Sequence, residues 1–313
     1  MRQFRELPRR GPSAPPLALA VGTFDGIHRG HQAVLKEAVG LARRSGWTAA
    51  ALAFDPPPEA ALGLPVPPRL GNPDEDAGLM ADLGLQELYR IPFTAALGRL
   101  TPGAFAERVL AWTLRCGAVA VGRGFRFGAG AAGGTGELTQ LGLRFGFRVA
   151  EVPPCMQGRR AVSSTRLRLA VQAGRLDEAA ELLGRPWLFR GRVVTGRRLG
   201  RTIGFPTANL EGPQQAQPPR GVWAGRCRLV TRSGPGRWWG FAGNLGVRPT
   251  LGSGLAPTVE LHLLGFRGRL EGRTLEAQFL KRLRGERKFK SLAGLSAQIG
   301  RDVQAARAAL KGA

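Results

Sequence analysis

The stretch LALAVGTFDGIHRGHQAVLKEAVGLARRSG, Leu17 to Gly46, decides how the first half of the chain is read. Leu17–Gly22 is an unbroken apolar run of the kind buried on both faces of a parallel sheet. His31–Gly46 has the spacing of an amphipathic helix. A turn punctuated by Gly22, Gly26 and Gly30 joins them. Strand, tight turn and helix open a βαβ unit, and the pattern recurs. Strands are expected at Trp47–Pro56, Leu85–Phe93, Ala118–Phe125 and Phe147–Pro154, with helices at Asp74–Leu83 and Pro102–Cys116. This alternation predicts an α/β domain with a covered parallel sheet. Leu62–Pro73 reads as a loop, and Gly/Ala-rich Gly128–Gly136 as a mobile one.

Two short helices are expected next, at Ser164–Ala173 and Arg175–Leu183, stopped by Gly174 and Gly184. From Trp187 the texture changes. FRGRVVTG, GVWAGRCRLV, WWGFAGNLG, TVELHLLGF and TLEAQFLKRLR alternate like strands between Gly and Pro turns. They predict a small antiparallel barrel, closed by a helix over Ser291–Leu310. The expected domains are therefore 1–186 and 187–313.

Composition narrows the classes. The chain has 313 residues, 43% of them hydrophobic, so it can bury a core. No apolar run reaches the ~18 residues of a membrane span. Leu17–Val21 is too short for a signal-peptide core. Cys116, Cys155 and Cys227 are odd in number and far apart, which suits a reducing cytoplasm rather than a disulfide framework. The formal charge is +24, with 23 basic and 6 acidic residues in 187–313 against 23 and 16 before it. Such a field concentrates nucleotides and phosphates. Only five of the 46 basic residues are Lys, and Arg, Ala, Gly and Pro crowd the sequence, so a coding bias explains the charge without a specific nucleic-acid partner. Self-association stays open.

The chemistry concentrates in two places. In Gly22–His31 the glycines do not spell G-x-G-x-x-G, so a dinucleotide fingerprint is not indicated. Instead His28 and His31, two of the three histidines in the chain, stand three apart at a helix start. Backbone N–H groups there favour an anion, and two imidazoles can stabilise charge on a departing pyrophosphate. A packed histidine pair, or a zinc site completed by Asp25, fits the same spacing less well, because no Cys or third His lies near. Further on, Gly196–Leu210 joins a Gly-rich loop to Thr207 and Asn209, neutral oxygen ligands suited to Mg²⁺ shared with phosphate. Glu260, an acid in the apolar strand PTVELHLLGF, is either a solvated carboxylate or a general base for a substrate hydroxyl.

GTFDGIHRGH resembles the H-x-G-H signature of nucleotidyltransferases, in the longer form typical of the adenylyltransferase module of bifunctional prokaryotic riboflavin kinase/FMN adenylyltransferases. Ser163-Ser164-Thr165-Arg166-Leu167-Arg168 resembles that module's S-S-T-x-I-R. Intact G-F-P-T-A-N at 204–209, GVWA at 221–224, NLGVRPT at 244–250, the Glu-x-His strand and RGERKF at 284–289 are similar to the kinase module, in order. The resemblance implies a Rossmann-like nucleotidyltransferase sheet followed by a riboflavin kinase-like barrel. It implies that ATP and Mg²⁺ bind the second module through Gly200, Gly204, Thr207 and Asn209. Glu260 would activate riboflavin, with Trp223, Arg287 and Phe289 at the flavin rim, where Trp223 and Phe289 equally suit the core. In the first module Gly22, Phe24, Asp25, Gly30, Ser164 and Thr165 would bind ATP, while His28, His31 and Arg168 stabilise charge as FMN becomes FAD.

The chain departs from that pattern at four positions. Pro57 replaces a His, Gly124 an Asn or Asp, and Ala131 and Gly134 polar loop residues. Each lost hydrogen bond is worth ~0.5–1.5 kcal/mol. An intact kinase is therefore expected beside a slower or altered adenylyltransferase. The rivals are a kinase with a decayed first domain and a nucleic-acid-binding protein. The latter is disfavoured by a 7% aromatic content and the lack of an RNA-binding signature.

Overall fold

The computed structural model describes residues 1–196, 199–212, 215–231, 234–249 and 255–311. Arg197 and Arg198 of the Gly-rich loop, and Thr250 of NLGVRPT, lie outside them. The chain divides into two compact units, Met1–Ser164 and Thr165–Ala313.

The first unit is built on strands β1 (Arg2–Phe4), β2 (Leu17–Val21), β3 (Thr48–Phe54), β4 (Glu87–Ile91), β5 (Cys116–Gly122) and β6 (Arg148–Val152). They form one parallel sheet in the order β1-β4-β3-β2-β5-β6. The helices are α1 (Arg29–Ser45), α2 (Pro58–Ala61), α3 (Pro73–Asp82), α4 (Ala95–Gly98), α5 (Pro102–Ala104) and α6 (Thr135–Phe145). Beyond α5 the chain widens into a π-helical stretch, Phe105–Thr113. Both faces of β2 are buried. Leu17 and Leu19 join Val109, Leu110 and Leu138, while Ala18 and Ala20 join Leu35 and Ala38 of α1. That is why the strand reads as an uninterrupted apolar run. A small hairpin, β7 (Met156–Gln157) with β8 (Arg160–Ala161), follows β6.

The second unit begins with α7 (Ser164–Gln172, of which Ser164 belongs to the first unit) and α8 (Leu176–Leu183). The boundary expected at 186/187 placed this helical pair with the sheet; in the structure it groups with the barrel. A Cβ on Gly174, just past α7, would lie 3.1 Å from Pro219 and 3.4 Å from Trp223. Then come β9 (Phe189–Val194), α9 (Leu199–Thr202), β10 (Ala208–Glu211), β11 (Gly221–Thr231), β12 (Gly234–Pro249), β13 (Leu255–Leu263), β14 (Thr274–Arg284) and α10 (Leu292–Leu310). The six strands close a barrel in the order β10-β13-β12-β11-β14-β9. Phe279 centres its interior, against Phe241 at 5.4 Å, Trp223 at 6.2 Å and Trp187 at 6.4 Å. Outward-facing Ala224 and Ala242 take α10 through Val303 and Ala306. Elsewhere on the wall Arg228 pairs with Glu276 at 2.8 Å and stacks over Trp238.

The elements missed from sequence are the short ones and one helix. β1 and β10 are too short to show alternation. α6 was hidden by the Gly/Ala-rich approach to it, where Gly128–Gly133 forms a turn closed by a Phe127–Gly133 bridge and Gly134 caps the helix. β1 reaches the sheet because Glu87, fully buried, accepts hydrogen bonds from Arg2, from Arg10 Nη1 at 2.7 Å and from the Tyr89 hydroxyl at 2.5 Å. Burial, then the Glu87 carboxylate, raises the Tyr89 hydroxyl well above its ordinary value.

Glu87→Ala leaves the largely buried Arg10 guanidinium without its counter-charge, held only by the Tyr89 hydroxyl and Pro15 O, and should cost about 3 kcal/mol in urea unfolding. Arg2→Ala, whose side chain is 73% exposed, should cost less than about 1 kcal/mol.

Candidate active sites

The first candidate site lies where β2 runs into α1. In the order of the sheet, β2 sits between β3 and β5, so the chain changes direction there, at the carboxyl ends of the strands, where α/β folds hold their ligands. His28 is the N-cap of α1: its Nδ1 accepts the His31 N–H at 3.2 Å. An Nδ1 used as acceptor leaves the neutral ring's proton on Nε2, so Nε2 donates to Ser164 Oγ, 3.3 Å away. The two imidazoles stack with centroids 3.7 Å apart and planes at 17°, and Phe24 meets His31 edge-on at 5.4 Å. Gly30 permits this, since a Cβ there would lie 3.1 Å from the His28 ring.

His31 is half-buried, and its Nδ1, shut off from solvent, has no hydrogen-bond partner. Burial first, and the neighbouring His28 second, pull its pKa well below the ordinary 6.5. The structure thus joins His28, His31, Phe24, Gly30 and Ser164. Gly22, at the end of β2, gives its N–H to Leu52 O and packs on Phe24. Asp25 accepts the backbone N–H groups of Leu70, at 2.9 Å, and Gly71, at 3.2 Å, so its carboxylate latches the turn to the loop before α3. Thr165 and Arg168 stand on α7 in the second unit.

The four departures are visible as structure. Pro57 precedes α2 as its cap without a side-chain hydrogen bond. Gly124 has φ +83°, the left-handed region that Asn and Asp tolerate best among residues with side chains. Glycine therefore keeps the backbone path and drops the polar group. Ala131 O accepts from Arg126 Nε at 2.9 Å, and Gly134 caps α6 without a side chain.

The second candidate site is on the outer wall of the barrel, under α10. Antiparallel register sets Glu260 of β13 directly opposite Asn209 of β10 on one side and Asn244 of β12 on the other. Residues directly opposite point to the same face. A cavity of about 250 Å³ there is lined by Gly200, Thr207, Asn244, Glu260, His262, Arg284, Glu286, Arg287 and Phe289, with Ile299 and Asp302 of α10. Backbone crowds in at Gly200, where a Cβ would lie 2.3 Å from Phe205 O and 3.3 Å from Thr207 Oγ1. Gly204, at φ +86°, turns the chain between α9 and Phe205. Asp302 fixes α10 to the wall by accepting from Arg284 Nε at 2.9 Å and Nη2 at 2.6 Å. Arg284 and Arg287 each sit 6.0 Å from the Phe289 ring.

Thr207, Glu260, Gly200, Arg287 and Phe289 are thus brought together, and Asn209 is tied to them by register. Trp223, expected at the flavin rim, is not. It is buried in the barrel interior against Phe279, and its indole N–H donates to Pro219 O at 2.9 Å. Odd positions of β11 face inward, so Val222 lines the cavity instead. The sequence reading held Asn244, His262, Arg284 and Glu286 only inside the family motifs and gave them no roles, and it did not pair Arg284 with Asp302. Burial raises the Cys116 thiol and pushes Cys227 up to about 12, which leaves both inert.

The family model described as FAD synthetase matches residues 12–166, and that described as riboflavin kinase matches 183–310. The bifunctional riboflavin kinase/FMN adenylyltransferase of Escherichia coli is 36% identical over 291 residues, 92% of this chain and 91% of that protein. The chain belongs to this family. The Pseudomonas fluorescens bifunctional riboflavin kinase/FMN adenylyltransferase is 33% identical over 98% of this chain and 97% of its own length. A crystal structure from Streptococcus pneumoniae, described as a macrolide-efflux protein, is 28% identical and superposes with a TM-score of 0.81 over 97% of this chain and 98% of its own. Among the described residues of this chain no helix is long and apolar enough to cross a membrane. The FAD synthetase match includes His28, His31, Ser164 and Thr165 and ends two residues before Arg168. The riboflavin kinase match includes the whole barrel site.

The lowered His31 pKa has a thermodynamic sign. The unfolded chain takes up this proton near 6.5 while the folded one does not, so stability is full above 6.5 and is lost as pH falls below it toward the folded value. Wild-type Tm should therefore drop between pH 7.5 and 5, and His31→Asn should flatten that drop; identical slopes would show that His31 does not titrate this way.

Proposed function

We propose that this chain converts riboflavin to FMN at the barrel site and FMN to FAD at the β2–α1 site, each with ATP. The observation that carries the reading is the Asn209–Glu260–Asn244 row, whose Glu260 and Asn244 line one cavity with Thr207. Glu260 takes the proton from the ribityl 5′-hydroxyl as that oxygen bonds to the γ-phosphorus and the bond to ADP breaks. Gly200 lets the Phe205 backbone close against it, and Gly204 turns the chain, which shapes the loop that meets polyphosphate. Arg287 and Phe289 border the flavin; Trp223 serves the core.

The donor set suits Mg²⁺. Among the described residues no cluster of three His, Cys, Asp or Glu side chains forms a metal cage. Thr207 and Asn209 instead offer neutral oxygens, which match a cation whose negative ligands are phosphates. When bound there, Mg²⁺ neutralises charge on the transferring phosphoryl group.

At the other site an FMN phosphate oxygen attacks the α-phosphorus of ATP and pyrophosphate leaves. His28, with its proton on Nε2, and His31 stabilise the developing charge, and the family resemblance assigns the cation of this step to Arg168 of α7. Ser164 and Thr165, at the start of α7, and Phe24 and Gly30 complete the ATP grip. The parallel sheet would carry adenylyl transfer and the barrel phosphoryl transfer, in the cytoplasm, without a nucleic-acid partner. A second reading keeps only the kinase. Its support is the absence of polar side chains at Pro57, Gly124, Ala131 and Gly134.

Paired variants test the separation. Glu260→Gln should cut FMN formation about a hundredfold or more and leave FAD formation from supplied FMN. His28→Asn keeps an N-cap and should do the reverse. Loss of both activities in either folded variant would contradict two independent sites.

A further inference from the structure

We propose that His262 is a positioning residue of the barrel site, holding the phosphate-binding segment before β10 in register with Glu260; the inference rests on the kinase reading above. His262 lies two residues beyond Glu260 on β13, on the same outward face, and lines the same cavity. Its Nδ1 is 2.9 Å from Pro206 O. A carbonyl oxygen only accepts, so Nδ1 carries the hydrogen and donates it. The ring also meets Phe205 edge-on at 5.5 Å and 78°.

These contacts fall on the link between two fixed points. Upstream, the Phe205 N–H donates to Gly200 O at 2.7 Å, which closes the turn after α9. Downstream, Ala208 enters the ladder opposite Leu261. Pro206 and Thr207 lie between them. Proline has no N–H, so the Pro206 peptide is tied through its carbonyl. His262 supplies that tie from the strand that carries the base. Thr207 and Glu260 are thereby referenced to one rigid element, which matters because a displacement of ~1 Å at a reacting centre costs up to ~10²-fold in rate.

The test compares His262→Asn, His262→Gln and His262→Ala in the full-length protein. Asn places an amide N–H near the position of Nδ1; Gln places it near Nε2, and Ala removes it. His262→Ala and His262→Gln should raise the KM for ATP in FMN formation about tenfold, with Tm within a few degrees of wild type. His262→Asn should stay within about threefold. Amide hydrogen exchange across 199–209, read without substrates, should accelerate in His262→Gln and not in His262→Asn. Wild-type kinetics and exchange in His262→Gln would overturn the proposal. So would equal damage in Asn and Gln, which would assign the ring a direct role on substrate. The Asn–Gln pair decides the matter even if His262→Ala fails to fold. An inactive wild type would instead contradict the kinase reading, and the exchange result would still judge His262.

Discussion

The hydrogen-bonded register of three barrel strands, with Asn209, Glu260 and Asn244 abreast, is the constraint on which the kinase site depends. A shift of one residue in β13 would turn Glu260 into the interior, where Val259 and Leu261 now pack, and empty the outer wall of its acid. The interior therefore guards the site. Phe279, Phe241 and Trp223 fix the barrel from within, so the outward positions are set before any ligand arrives. Helix α10 then converts a strand face into a cavity. The bidentate Arg284–Asp302 pair and the packing of Val303 and Ala306 hold it there.

The β2–α1 site solves a similar problem by different means. It has no carboxylate row and relies on a helix start whose cap is itself an imidazole. The cap hydrogen bond fixes the orientation of His28, stacking fixes His31, and desolvation, with His28 beside it, disfavours a proton on His31. Preorganisation of this kind does not depend on the side chains missing at Pro57, Gly124, Ala131 and Gly134. Those positions bear on how flavin and nucleotide are held, whereas the imidazoles bear on the charge that develops during transfer.

How legible the molecule was depends on the length scale of each feature. The parallel sheet was readable because Leu17–Val21 and Thr48–Phe54 are buried on both faces and carry almost nothing but apolar residues. Arg2–Phe4 was not, since three residues show no period and their place depends on Glu87, far along the chain. Glu260 stood out as an acid in an apolar strand. Asn244 and His262 were visible only as motif letters, because their roles come from their register with Glu260. Trp223 was misplaced for the opposite reason: its motif suggested a ligand, while alternation along β11 sends it inward. The sequence reading placed the helical pair α7–α8 with the sheet because nothing in its own residues specifies its neighbour; all of it but Ser164 groups with the barrel.

The most direct measurement is a time course of wild-type protein with riboflavin, ATP and Mg²⁺, the flavins resolved by chromatography. FMN should accumulate first and FAD follow from it. Riboflavin left unchanged by folded protein would contradict the assignment of the Thr207, Asn209 and Glu260 wall as a phosphoryl-transfer site.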